Sequence, residues 1–267
     1  NRGQDTTVKN LYETEEFAAL ADRMYRWRQK GWIAENWGAQ VTSIHYLRSG
    51  LVFGCLSRAC PGFAVQETRQ TGYPIRVALL EEPYIASDAN VSLWVIPAKC
   101  RYPALAMQVL ELLYTDPALI NLLTYGIEGK HYIKKADGTA AFPEGITAEN
   151  SGYAQFLGWM YGNEYLTIPW EGNGSELWQE LEAFNYRAPV SRAFGLEYSP
   201  ENVGSQMKGC QAVYEKYYSG LMTGRLNPEV YLPLFREELR QAGIEEIISD
   251  KQAQLDTWLQ NSEGDRP

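Results

Sequence analysis

The fold is decided by residues 104–132, which read ALAMQVLELLYTDPALINLLTYGIEGKHY. Apolar side chains recur in the first half of this stretch at the spacing of one face of an α-helix. Asp116-Pro117 predicts the end of that helix and the beginning of another, because aspartate caps free N–H groups and proline fits a first turn. The stretch therefore predicts two consecutive helices. The face of the first consists of Ala106, Val109, Leu110, Leu113 and Tyr114.

A glycine-containing loop, Tyr125–Tyr132, follows the second helix. Its eight residues include two glycines, two tyrosines, one acid, one base and His131, one of two histidines in the chain. Such a concentration of polar groups beside a packed helix is typical of binding loops. Two interpretations of His131 stay open at this point. It either orients the loop backbone or lies close to a ligand.

This block of helices and loop resembles extracellular solute-binding proteins of ABC importers, and most of all the lipoprotein branch of Gram-positive bacteria. Trp159-Met-Tyr-Gly-Asn-Glu-Tyr165 and the tail between Ala242 and Trp258 carry the same resemblance, which extends from about Tyr12 to about Leu259. It implies the second lobe of a type-II periplasmic-binding-protein-like fold. This α/β lobe would be followed by a mostly helical C-terminal extension, so that the chain is helix-rich overall.

The resemblance assigns residues 1–135 to the α/β lobe with its helices and residues 136–267 to the helical extension. Proteins of this kind begin with a signal peptide, a lipid-modified cysteine and a first lobe. Residues 1–9 are polar and lack the apolar segment of a signal peptide. The chain is therefore expected to be a fragment that lacks the N-terminal lobe and the lipid attachment site.

The β-forming composition of residues 50–56, 74–80 and 92–97 predicts three strands of the lobe. A hairpin is predicted around the turn at residues 135–138, which contains Asp-Gly.

Composition excludes several classes of function. The net charge of −9 and the pI near 4.9 argue against binding to nucleic acid or to an anionic membrane. No C-x-x-C pair is present, so a zinc site is not expected. No other cluster of metal-ligating or phosphate-binding residues stands out, so no cofactor is expected either. We also expect a monomer. Whether the cysteines form disulfides is left open by their spacing. They are Cys55, Cys60, Cys100 and Cys210.

Aromatic and polar residues concentrate between positions 159 and 170, a mixture that suits carbohydrate. Aromatic rings stack on the apolar C–H face of a sugar, whereas carboxylates and amides satisfy its hydroxyl groups. The same residues would equally form an aromatic core cluster, and both interpretations stay open. The candidate ligand-binding residues in this segment are Trp159, Tyr161, Asn163, Glu164 and Trp170.

Two further candidates lie outside that segment. Arg58 follows the first predicted strand, in a loop that the resemblance places at the ligand cleft, where a guanidinium donates to a hydroxyl or carboxylate. The alternative is an ordinary surface arginine. His131 is the second candidate, and it either contacts a ligand or orients the loop backbone.

The resemblance implies capture of a solute, expected to be a carbohydrate or oligosaccharide, by two lobes that close on it for import. The expected partners are the permease subunits of an ABC transporter and the missing N-terminal lobe, at the cell surface. Catalysis is not expected, because no G-x-S-x-G or H-E-x-x-H motif occurs. Two alternatives remain. One is a glycoside hydrolase-like enzyme using Glu164 and Glu171, and the other is a binding protein for a peptide or another non-sugar solute.

Overall fold

The computed structural model describes residues 3–33, 43–86, 93–153 and 155–262. These residues are mostly helical and contain one two-stranded antiparallel sheet. The elements in chain order are α1 (Glu15–Gln29), α2 (Ser43–Arg48), α3 (Phe63–Thr71), α4 (Pro103–Thr115), α5 (Pro117–Tyr125), β1 (Ile133–Lys134), β2 (Ala140–Ala141), α6 (Gly158–Tyr161), α7 (Leu177–Arg187), α8 (Gly204–Met222), α9 (Pro228–Gln241) and α10 (Ile244–Ser262).

The chain divides into two compact units, each assembled from separate stretches. The first is drawn from residues 1–46, 84–88 and 189–267, and the second from residues 47–83 and 89–188. The assignment of residues 1–135 and 136–267 to a lobe and an extension rests on the resemblance and stays a proposal.

The core of the first unit forms where α1, α8 and α9 pack together. Phe235 and Leu221 are completely buried in it, and Tyr12 lies against Phe235 with the ring centres 4.7 Å apart. α9 begins at Asn227, whose side-chain oxygen accepts a hydrogen bond from the amide of Glu229. The other buried members of this core are Phe17, Cys210, Tyr217, Leu232 and Leu239.

In the second unit, α4 and α5 confirm the two predicted helices. The Asp116 carboxylate accepts hydrogen bonds from the amides of Ala118, at 2.8 Å, and Leu119, at 3.3 Å. The predicted apolar face of α4 is wrong in part. Leu113 is buried, whereas Val109 and Tyr114 are exposed because no described element covers that side of the helix.

The predicted hairpin is also confirmed. Ile133 pairs with Ala141 and Lys134 with Ala140. Gly138 has a φ of 82°, the left-handed conformation that glycine adopts without a steric penalty. Burial of the two alanines directs β2 into the interior of the unit, next to the aromatic residues described below.

The three strands predicted from composition are wrong for the described residues. Residues 50–56, 74–80 and 93–97 belong to no paired strand in the part of the chain that is described, and Ser92 lies outside that part. Their apolar side chains, including Leu51, are largely exposed. A strand needs a partner for its backbone hydrogen bonds, and β-forming composition alone does not supply one.

The open question about cysteine is answered by the structure, in which all four thiols are free. Among the described residues, no helix combines the length and apolar character needed to cross a membrane.

Candidate functional site

The aromatic segment is held in place by α5. The Asn121 side chain donates hydrogen bonds to the carbonyls of Pro117 and Leu166 and accepts one from the amide of Ile168. These contacts join one turn of α5 to the chain that leads to Trp170. The sequence analysis missed Asn121, because nothing in an apolar helix marks a buried amide as the anchor of a distant loop.

Asn163 has a local structural role in the same segment. Its side-chain oxygen accepts from the amide of Tyr165 and so caps the 3₁₀ turn Glu164–Leu166. Its own amide donates to the carbonyl of Leu113, at 3.1 Å, which attaches the segment to α4. The predicted ligand-binding role of Asn163 stays a prediction.

Trp170 lies in an aromatic cluster and is only 5% exposed. Its ring meets those of Phe142 and Phe156 edge to face, with centres 4.8 and 4.7 Å apart. Tyr125 completes this side of the cluster and donates its hydroxyl to the carbonyl of Ile168. Burial raises the pKa of Tyr125 to about 12, so this hydroxyl stays protonated at neutral pH.

The backbone of β2 positions the tryptophan. The amide of Ala140 donates to the carbonyl of Pro169, at 2.8 Å, and the amide of Glu171 donates to the carbonyl of Ala140, at 2.7 Å. Trp170 and Glu171 are thereby fixed beside the hairpin. An edge strand with free backbone groups accepts such a neighbour.

Arg69 of α3 is a cation in contact with the aromatic cluster. Its guanidinium carbon lies 3.6 Å from the centre of the Phe156 ring and 5.6 Å from that of Trp170, which are cation–π distances. Desolvation lowers the pKa of Arg69 to about 10, while Tyr125, Glu67 and Glu164 favour its charge. The group therefore remains a cation at neutral pH.

The polar surroundings of Arg69 are incomplete. Its Nε atom is buried and has no hydrogen-bond partner among the described residues. Sequence reasoning did not single out Arg69, because Glu67 and Arg69 look like the ordinary polar face of a short helix. Only the distant aromatic residues that reach α3 reveal its environment.

A cavity of about 350 Å³ opens beside Arg69. The chain after α3 turns back along one side of it, since the amide of Ile75 donates to the Thr68 hydroxyl at 2.9 Å. The cavity therefore combines an apolar wall with one guanidinium and one carboxylate. The lining residues that matter for its chemistry are Val65, Arg69, Ile75, Phe142, Trp170 and Glu171.

Glu164 and Trp170 are brought together around Arg69. Burial raises the pKa of Glu164, and the charge of Arg69 opposes that shift. Of the predicted site residues, only Trp170 lines the cavity. The ligand-binding roles predicted for Glu164 and Trp170 stay predictions.

The remaining predicted residues have separate environments. Trp159 is half exposed, and the carbonyl of Tyr161 accepts a hydrogen bond from the indole of Trp94. Arg58 is exposed on the extended segment before α3. His131 accepts the amide of Ile127 on Nδ1 at 2.9 Å, a contact that orients the loop backbone. The predicted ligand contacts of these residues stay predictions.

Among the described residues, no group of three or more histidine, cysteine, aspartate or glutamate side chains is arranged to hold a metal ion. The side chains that line the cavity offer hydrogen bonding, apolar contact and charge.

Gly162→Ala is expected to lower the free energy of unfolding by about 1–3 kcal/mol, because it over-packs the junction between the aromatic segment and α4. A Cβ atom at Gly162 would overlap the carbonyl oxygen of Leu113. Gly174→Ala is the matched control, since a Cβ atom there would meet only the amide of Glu176, at 3.9 Å. Urea denaturation of both variants measures the difference. Equal midpoints would show that the junction accommodates the added Cβ atom with no loss of unfolding free energy, and the prediction would be wrong.

The chain is similar to one family model, to solved structures and to a curated relative. A family model described as Domain of unknown function (DUF3502) matches residues 192–260. The crystal structure of N-glycan transport solute binding protein (NgtS) from Streptococcus pneumoniae superposes with a TM-score of 0.80 at 22% identity. The superposition covers 97% of this chain and 57% of that one. The fold is that of a solute-binding protein. This likeness confirms the helix-rich α/β class expected from the sequence.

Two crystal structures of NgtS in complex with glycans superpose on this chain with similar scores. The complex of NgtS with Man1GlcNAc gives a TM-score of 0.75 at 21% identity and covers 96% of this chain and 57% of that chain. The complex with Man5GlcNAc gives 0.73 at 23% identity, with coverages of 98% and 58%.

A curated relative extends the likeness to the sequence. The chain is 26% identical over 266 residues to a "Carbohydrate ABC transporter substrate-binding protein" of Streptococcus pneumoniae serotype 4 (strain ATCC BAA-334 / TIGR4). The alignment covers 97% of this chain and 53% of the relative. The chain thus spans about half the length of the curated relative that it matches. The resemblance to solute-binding proteins of ABC importers is confirmed, and these relatives are binding proteins.

Proposed function

We propose that this chain is part of a substrate-binding protein that captures a carbohydrate, most suitably an oligosaccharide, for an ABC importer. Its similarity to a carbohydrate substrate-binding protein along 97% of its length is the observation that carries the proposal. The glycans named with NgtS, Man1GlcNAc and Man5GlcNAc, are therefore the first ligands to test.

The geometry of the second unit supports a sugar as the solute. Burying a hydroxyl group without a hydrogen-bond partner is costly, so a sugar site needs donors and acceptors beside its apolar contacts. Arg69 supplies donors, Glu171 supplies acceptors, and Trp170 supplies apolar surface at one cavity. A site for an apolar solute would not need the two charged groups.

The proposed action is capture without catalysis. Two lobes close on the ligand by a hinge motion, and no bond is broken. The glycosidase alternative required Glu164 and Glu171 to act as an acid and a nucleophile or base. Glu171 lines the cavity beside Arg69, whereas Glu164 is not part of its lining, so the two carboxylates do not flank a ligand bound there.

A first lobe is the proposed partner within the same protein. The extended segments 50–56, 74–80 and 93–97 carry exposed apolar side chains and lack partner strands among the described residues. The curated relative is about twice as long as this chain, which leaves room for such a lobe. Permease subunits of the importer are the second proposed partner. We place the protein at the cell surface, held by a lipid attached ahead of the first lobe.

Binding measurements on the full-length gene product test the proposal. Isothermal calorimetry with Man5GlcNAc, maltopentaose, cellopentaose and a pentapeptide is expected to show micromolar or tighter binding to at least one glycan and none to the peptide. Thermal shifts give a second readout, since a ligand at a hundredfold excess over Kd stabilises by about 2.7 kcal/mol. Binding of the peptide alone would overturn the proposal. Turnover of chromogenic glycosides would show an enzyme instead.

A further inference from the structure

We propose that the cavity beside Arg69 is a subsite for one uncharged sugar residue. Arg69 would donate to the ring or hydroxyl oxygens of that residue, and Glu171 would accept from its hydroxyl groups. The apolar wall made by Val65, Ile75, Phe142 and Trp170 would contact its C–H face. This inference rests on the proposed carbohydrate-binding function and assigns one part of the ligand to one place in the second unit.

The position of Arg69 is the first observation in favour. Its side chain lines the cavity, where a charged donor forms strong hydrogen bonds with a polar ligand. Its Nε atom is buried, so the terminal nitrogens of the guanidinium would be the donors. A guanidinium held over Phe156 at 3.6 Å is also fixed in position, so little freedom is lost when a ligand binds.

The second observation is the composition of the wall. The side chains of Trp170 and Phe142 are held edge to face, with centres 4.8 Å apart, and both line the cavity beside Ile75. Glu171 lies at the same wall, with its backbone fixed by the hydrogen bond to Ala140. Apolar surface with one donor and one acceptor matches a pyranose, which has apolar faces and a polar edge.

The volume selects a single sugar residue. Ligand sites range over about 300–1,000 Å³, and drug-sized molecules occupy most of that range. A cavity of about 350 Å³ lies at the lower end. It suits one ring of an oligosaccharide, and the other rings would continue outside it.

The charges select a neutral ring. Glu171 lines the cavity, and Glu67 and Glu164 act on Arg69 from nearby. Lys135 lies 3.5 Å from Glu171 and offsets part of its charge. Two cations thus face three carboxylates, so no excess of positive charge attracts an acidic sugar. At the wall itself Arg69 stands against Glu171, whose charge Lys135 partly offsets, so Arg69 repels an ammonium group placed beside it and an amino sugar is disfavoured as well.

Substitution of Arg69 in the full-length gene product tests the subsite. Arg69→Met keeps the unbranched apolar stem of the side chain and removes its donors. We expect affinity for the tightest-binding of Man5GlcNAc, maltopentaose and cellopentaose to fall by about 10- to 100-fold, the range for loss of a charged hydrogen bond. The melting temperature is expected to fall as well, because Glu164 loses the cation that offsets its burial, and it is therefore measured beside the affinity.

Matched controls separate the subsite from the stability of the fold. Arg76→Met makes the same change on an exposed arginine next to Ile75 and is expected to leave affinity unchanged. Glu171→Gln keeps the shape of the acceptor and is expected to weaken binding, which decides the matter if Arg69→Met fails to fold. A competition series of methyl mannoside, methyl glucuronide and glucosamine should favour the uncharged sugar.

The outcomes that overturn the inference are distinct. Wild-type binding to a glycan with no loss in Arg69→Met and Glu171→Gln would overturn the subsite and leave the proposed function standing. A fall in melting temperature with unchanged affinity would assign Arg69 a purely structural role. Preference for the glucuronide would overturn the neutral class of ligand. Failure of the wild-type protein to bind any of the three glycans would overturn the subsite together with the carbohydrate-binding function.

Discussion

Phe235→Ala is expected to lower the free energy of unfolding of the first unit by about 3–5 kcal/mol, the usual cost of removing a buried aromatic side chain. Phe235 is completely buried where α1, α8 and α9 meet. Its ring lies 4.7 Å from that of Tyr12 and 5.5 Å from that of Tyr217, measured between centres. The substitution would leave a cavity where the three helices meet.

Leu234→Ala is the matched control for this prediction. Leu234 precedes Phe235 in α9 and is 47% exposed, so its truncation removes little buried surface. Both variants would be followed by helix circular dichroism during urea denaturation, and the midpoint of Phe235→Ala should lie far below that of Leu234→Ala. A loss of less than about 1 kcal/mol for Phe235→Ala would contradict the assignment of the core, because even modest core truncations exceed it.

Local signals were sufficient for the central helices and the hairpin. Asp116-Pro117 predicts a helix boundary, and the structure shows Asp116 capping α5. Asp137-Gly138 predicts a turn, and the side-chain oxygen of Asp137 accepts hydrogen bonds from the amide and the hydroxyl of Thr139. These features depend on residues within a few positions of one another. A sequence displays them directly.

Sheet formation depends on partners that a local pattern does not contain. Residues 50–56 and 74–80 have the composition of buried strands, yet they remain unpaired among the described residues. The prediction that the whole apolar face of α4 is buried was wrong for a related reason. Helical periodicity predicts that a face is apolar but not which element covers it. The residues that would pair with a strand or cover a helix face lie elsewhere in the sequence.

The candidate site shows the same limit. Trp170 was singled out by its aromatic neighbours in sequence, and the structure places it at the cavity. Arg69 escaped notice because its contacts with Phe156 and Trp170 join residues far apart in the chain. Glu164 was predicted as a carboxylate within the aromatic segment, where it would satisfy sugar hydroxyl groups. Its observed significance is the electrostatic contact with Arg69.

The isolated 267-residue chain is expected to bind the glycan at least about 1,000-fold more weakly than the full-length gene product. This prediction follows from the proposed two-lobe capture, in which the second unit supplies one wall of the ligand cleft. Loss of the opposite wall leaves the ligand hydrated on one side and removes several hydrogen bonds, each worth about 0.5–1.5 kcal/mol. Four such bonds account for about 4 kcal/mol, which is three orders of magnitude in Kd.

Calorimetry on the two proteins with the same glycan measures this ratio, with circular dichroism as the control that the shorter chain keeps its helices. A second comparison uses tryptophans of the second unit in the full-length protein. Trp159 is 52% exposed and is predicted from the sequence to contact the ligand, whereas the indole of Trp94 donates to the carbonyl of Tyr161. Trp159→Ala should therefore weaken binding more than Trp94→Ala. Equal and tight binding by both proteins would mean that the site is complete within these residues, and two-lobe capture would then be wrong.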